Sequence, residues 1–97
     1  MTKSLAFCVE EIGNGDFEKG KKIIENLAQR LHEARMKHPR WANRGAGYAL
    51  EAIGGEFAEF KAEVMADNQE RQIDEAYDVL ATVCRFINGE HEGAENG

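Results

Sequence analysis

The stretch IGGEFAEFKAEVMADNQERQIDEAYDVL, residues 53–80, carries two acidic patterns of helical spacing on either side of a short polar break. On its first half Glu56, Glu59 and Glu63 recur three and four residues apart, which puts them on one helix face together with Ala49 and Ala52. Leu50, Ile53, Phe57, Phe60 and Val64 fall on the adjoining face, and the far side holds the small residues Gly54, Ala58 and Ala62 with Met65. On its second half Ile73, Tyr77, Leu80, Cys84 and Ile87 form an apolar stripe, widened by Val79, Val83 and Phe86. Only Glu75, Asp78, Thr82 and Arg85 remain polar in the middle of that helix. A helix apolar over most of its circumference is expected to be buried, and its acidic strip then has to face something that compensates the charge.

These two helices, expected at about 46–66 and 70–88, are joined by a short turn at Asp67-Asn68 and must be antiparallel neighbours. The hairpin sets Glu59 or Glu63 opposite Glu75 and brings Glu56 nearer Asp78. Working outward, residues 4–12 read as a short helix capped by Ser4 and ended by Gly13-Asn14-Gly15. Asp16 caps a longer helix over about 17–37, with Ile23, Ile24, Leu27, Leu31 and Ala34 on its apolar face and Pro39 as its stop. No period-2 pattern is sustained anywhere. The fold expected is all-α, an antiparallel helical hairpin core completed as a four-helix-bundle-like oligomer. With 97 residues the chain is one domain, read as 1–90, with an acidic, glycine-rich, disordered tail at 91–97.

A net charge of −6 argues against binding a nucleic acid polymer, which needs a basic footprint. It does not exclude a nucleotide, because a bound metal reverses the local sign of a site. Cys8 and Cys84 form no zinc or disulfide pattern and read as buried thiols among apolar residues. There is no signal-peptide pattern and no apolar run of membrane length, so the expected location is cytoplasmic, with no membrane partner.

Carboxylates facing one another raise each other's pKa and are costly when buried unpaired. An all-oxygen ligand set suits magnesium, manganese or calcium. The Glu-x-x-His pair of di-iron bundles is absent. Glu56, Glu59, Glu75 and Asp78 are therefore candidate metal ligands; the competing reading is a pair of solvated acidic faces.

The order Glu56-x-x-Glu59, fifteen intervening residues, then Glu75-x-x-Asp78 followed by Val79-Leu80, resembles the all-α nucleoside triphosphate pyrophosphatase superfamily of MazG-like enzymes. The likeness covers about residues 20–90. The superfamily pattern is Glu-Glu-x-x-Glu, a spacer, then Glu-x-x-Asp, and Gly55 stands where its first glutamate would be. The resemblance implies Mg2+-dependent hydrolysis of an NTP or dNTP to the monophosphate and pyrophosphate, with Mn2+ as an alternative ion. It also implies a homodimer or dimer of dimers. Glu56 is the ligand assigned a second role as general base. Gly55 keeps open a non-catalytic nucleotide- or metal-binding relative, and a helical interaction module is a third reading.

For the nucleotide the candidates are Arg85, Asn88, Trp41 and Arg44. Arg85 continues the acidic strip toward a phosphate, or pairs internally with a glutamate. Asn88 contacts phosphate or sugar, or caps its helix. Trp41 stacks on a base or anchors its loop. Arg44, with Lys37 and Arg40, makes the most basic stretch of the chain and draws in a polyphosphate.

Overall fold

The computed structural model describes residues 4–93. Four helices follow one another: α1 (Leu5–Ile12), α2 (Phe17–Lys37), α3 (Ala46–Met65) and α4 (Gln69–Ile87). There is no strand among the described residues. The starts of α1, α2 and α4 follow from side chains that satisfy free amides of a first turn. Ser4 Oγ accepts from the Phe7 amide at 3.0 Å, Asp16 Oδ1 from Lys19 at 3.1 Å and Asn68 Oδ1 from Arg71 at 3.4 Å. The α3–α4 turn is made by Asp67, at a φ of 57°, and the amide of Asn68 donates back to Glu63 O at 3.0 Å.

α1 packs on α2 through two glycines. A Cβ on Gly20 would lie 1.8 Å from the carbonyl oxygen of Val9, and one on Gly13 would lie 2.4 Å from the amide nitrogen of Gly20. The crossing is backbone on backbone and admits no side chain. α4 is the centre of the rest: α3 packs along one flank and α2 along another, while α2 and α3 do not pack on each other. The result is an open trough with α4 as its floor.

The expected burial of α4 holds only on the trough side. There Glu75, Ala81, Thr82 and Arg85 are buried. On the opposite side Ile73, Leu80 and Ile87 line up at seven-residue intervals and stand exposed, Ile87 by 76%. Leu50, Phe57 and Val64 make a matching exposed row on α3, Leu50 by 70%. One chain has only enough helix to cover one face of the hairpin. Its dimensions agree: the radius of gyration is 15.2 Å, where about 12.5 Å is usual for this length. The accessible surface is 7016 Å2, where about 5,500 Å2 is usual for this mass.

Two further expectations change. Cys8 is exposed and Cys84 half-buried, both free, because α1 meets α2 through its glycines rather than through Cys8. Residues 91–93, read as part of a disordered tail, are placed: His91 is buried, and the carbonyls of His91 and Glu92 accept from the loop before α3. Residues 94–97, the rest of the segment read as disordered, lie outside the described residues. No described helix is long and apolar enough to cross a membrane.

The glycine crossing yields a stability prediction. Gly20→Ala should cost about 2 kcal/mol or more, because the clash is with backbone that has nowhere to move. Gly47→Ala, a helical site with nothing near its Cβ, should instead stabilise by about 0.5–1 kcal/mol. Urea denaturation of the two variants beside the parent checks both signs.

Candidate functional site

The trough holds a cleft of about 650 Å3. α2 supplies Arg30, Glu33, Ala34 and Lys37 to one wall, α3 supplies Glu51, Ala52, Gly55, Glu56 and Glu59 to the other, and α4 supplies Asp78, Ala81, Thr82 and Arg85 to the floor. The small residues Ala52 and Ala81 leave the room, and Glu56, Glu59 and Asp78 line it, while Glu75 is buried beside Asp78 and does not. Glu75 and Asp78 sit one turn apart on α4, and the antiparallel return of α3 places Glu56 beside them.

One oxygen from each of Glu56, Glu75 and Asp78 lies within 4.8 Å of the others. Glu59 lines the cleft as well but is exposed and stands outside this trio. Glu63 is drawn away: its carboxylate faces Arg71 Nε at 3.5 Å. Three of the four carboxylates named from sequence therefore converge, and the fourth is at the edge.

The compensation of their charge is incomplete. Arg71 donates to Glu75 Oε2 at 3.0 Å. Arg30, reaching across from α2, donates to Asp78 Oδ1 at 2.7 Å, to Asp74 Oδ1 at 3.0 Å and to the Asp74 carbonyl at 3.1 Å. Glu56 has no ion-pair partner among the described residues. Glu75 is only 6% exposed, and its Oε1 is buried with no hydrogen-bond partner among the described residues. Burial pushes the Glu56 carboxyl above the ordinary glutamate range, helped by repulsion from Glu59, Asp78 and Glu75. Burial does the same to Glu75, with Asp78 and Glu59 adding to it and Arg71 opposing. Hard oxygen donors, surplus negative charge and one buried oxygen lacking any partner are what a divalent cation would satisfy, so the residues present fit the ion.

The other end of the cleft is a packed plug. Arg85 is 3% exposed, stacks 4.3 Å over the Trp41 ring, and donates to Glu90 Oε1 at 2.7 Å and to the Ala34 carbonyl at 3.3 Å. Trp41 is 4% exposed and meets the Tyr48 ring edge-on at 5.7 Å. Glu90 also accepts from Arg35 Nε at 2.8 Å. Burial works to raise the Glu90 carboxyl, but the hydrogen bonds from Arg35 and Arg85 outweigh it and hold the group below the ordinary range. The amide of Asn43 donates to Glu92 O at 2.7 Å, and that of Gly45 to His91 O at 2.9 Å. His91 stacks on Phe86 at 4.8 Å.

Of the sequence candidates for the nucleotide, Arg85 and Trp41 reach the cleft, but each is already engaged by the other. Arg85 takes the internal ion pair, with Glu90 rather than with a glutamate of the cluster. Trp41 takes the anchoring role. Arg44 lies over the Tyr48 ring at 4.8 Å, and Asn88 caps α4 with its side chain 3.8 Å from Cys84 Sγ; neither lines the cleft. Arg30 is the residue that sequence reasoning passed over. It sits on the seam Ile23, Leu27, Arg30, Ala34, Lys37, at alternating spacings of four and three, so a cation interrupting an apolar stripe was the available signal.

Comparison with known protein families, with curated proteins and with solved structures finds no match to this chain.

The pKa directions fix how stability depends on pH. Glu56 and Glu75, raised in the fold, favour the folded state when protonated, a contribution present at low pH and lost as pH rises through their elevated range. Glu90, lowered in the fold, contributes stability that is lost as pH falls through its depressed range. In metal-free buffer the melting temperature should rise as pH falls from neutral toward the ordinary glutamate range, through the raised range of Glu56 and Glu75, and fall again below that range as Glu90 protonates. A steady decline from neutral to acid would contradict these directions.

Proposed function

We propose that this chain is a magnesium-dependent nucleoside triphosphate pyrophosphohydrolase. The observation that carries the reading is the buried Oε1 of Glu75, without a hydrogen-bond partner among the described residues, in a trio of carboxylates whose other two members, Glu56 and Asp78, line an open cleft. The motif order of the MazG-like superfamily supports the same reading. So does the size of the cleft, which falls in the range of small-molecule sites.

Glu56, Glu75 and Asp78 would hold Mg2+, or Mn2+ in its place, with Glu59 at the rim as a further carboxylate. A bound divalent ion supplies charge neutralisation of the triphosphate and a more acidic water. The chain's own residues do the rest. Arg30 and Lys37 present positive charge from the α2 wall toward the phosphates. Glu56 is the general base: it lines the cleft and has no ion-pair partner among the described residues. The water oxygen bonds to the α-phosphorus, its proton passes to Glu56, and the bond from the α-phosphorus to the bridging oxygen breaks. The products are a nucleoside monophosphate and pyrophosphate. Tyr48 and the edge of Trp41 line the far end of the cleft and offer an aromatic border for the base.

A second reading, a nucleotide- or metal-binding protein without turnover, is favoured by Gly55. It lines the cleft beside Glu56 with nothing within 4 Å of its Cβ position, so the side chain that would complete the superfamily pattern is missing from space open to receive it.

The exposed rows on α3 and α4 carry the oligomer reading. Leu50, Phe57 and Val64 beside Ile73, Leu80 and Ile87 form two heptad-spaced seams on one hairpin. A second copy apposed through a two-fold axis would bury them as a four-helix bundle and leave both clefts facing outward.

Two measurements follow. Pyrophosphate release over a panel of NTPs and dNTPs with Mg2+ should detect at least one substrate, and Glu75→Gln or Asp78→Asn should each lower its turnover by about 100-fold or more while the protein stays folded. Calorimetric binding of a nucleotide without release from any of the panel would select the second reading. Sedimentation should give a dimer or a multiple of it, and Leu80→Glu should shift it toward monomer, since a charge buried in a helix seam is strongly unfavourable.

A further inference from the structure

We infer that Arg30 is a shared counter-ion, held by Asp78 when the cleft is empty and turned to the polyphosphate when the site is loaded, so that metal and polyphosphate bind cooperatively. This rests on the metal-dependent reading above and adds a specific role for one side chain.

Two arginines touch the acidic trio, and they approach from different sides. Arg71 reaches Glu75 from within α4 and does not line the cleft. Arg30 crosses from α2 to Asp78 and does line it. Its guanidinium spans Asp78 Oδ1, Asp74 Oδ1 and the Asp74 carbonyl. The Asp74 partner is mostly exposed, and an ion pair in that setting is worth little. The bond to Asp78 is the short one, and it occupies an oxygen of a candidate ligand. A divalent charge gathered by Glu56, Glu75 and Asp78 would lie close to this guanidinium and repel it. A guanidinium leaving Asp78 can stay in the cleft it lines, where phosphate oxygens suit the planar fork better than a carboxylate already engaged by a metal. The cleft is open between α2 and α3, which do not pack on each other. Arg30 therefore weakens the site for metal alone and strengthens it for metal with polyphosphate, which is a positive coupling between the two.

The test uses Mn2+ and inorganic tripolyphosphate as probes, so that no base has to be known. Calorimetry on the folded, full-length protein measures Mn2+ alone, then tripolyphosphate at saturating Mn2+. Arg30→Met should bind Mn2+ about tenfold tighter than the parent and tripolyphosphate about tenfold more weakly. Arg71→Met should tighten Mn2+ without weakening tripolyphosphate, which separates a contact in the cleft from the general loss of a positive charge. Arg30→Lys should move both affinities in the same directions as Arg30→Met by smaller factors, and it keeps the test open if the methionine variant does not fold. Unchanged or weaker Mn2+ binding in the Arg30 variants would overturn the role given to Arg30 and leave the metal site standing. So would equal loss of tripolyphosphate in the Arg30 and Arg71 variants. Absence of Mn2+ binding in the parent would overturn the metal site itself, and this inference with it.

Discussion

A carboxylate oxygen enclosed in protein with no donor is among the most costly local arrangements a fold can hold, at least about 3 kcal/mol for a charged group. Glu75 Oε1 is such an atom, and the surrounding elements are arranged about it. Two helices of opposite direction bring Glu56 and Asp78 to within a ligand's reach of Glu75, and the neighbouring arginines neutralise only part of the total. A cation at the site would give that oxygen the partner it lacks among the described residues.

The same helix carries the two demands that shape the molecule. One face of α4 is polar and forms the floor of the cleft, and the opposite face is an apolar row open to solvent. The cleft exists because α2 and α3 each pack on α4 and not on each other. Had α2 closed onto α3, the acids would have been sealed in and the charge left without access to an ion. Openness on one side and missing cover on the other explain why a chain of this length has so small a core: Val9, Trp41, Ala49 and Ala81 are its buried apolar residues among those described. A second copy on the exposed rows would supply the missing packing without obstructing the cleft.

The helices were legible because their signals are local. Ser4, Asp16 and Asn68 each sit one residue before the helix they cap, Pro39 follows the end of α2, and periodicity marks the faces. The acidic trio was legible because a three-residue turn allows only one way for α3 and α4 to face each other. What was not legible depends on side chains meeting from distant parts of the chain. Arg85 extends the acidic strip on paper, yet it binds Glu90 and Trp41, because residues after the end of α4 fold back under the loop before α3. A tail rich in glycine and acid gives no local sign of that return. Arg30 was overlooked for a related reason: a helical wheel places it on the apolar seam of α2, and only the crossing of α2 over α4 gives the charge its partner.

The most direct measurement is a crystal grown with Mn2+ and recorded for anomalous scattering. The account expects a peak among Glu56, Glu75 and Asp78, bonded to Glu75 Oε1 at roughly 2.0–2.6 Å. An empty trio, with Glu75 Oε1 hydrogen-bonded to ordered water and any manganese confined to the exposed acids, would contradict it.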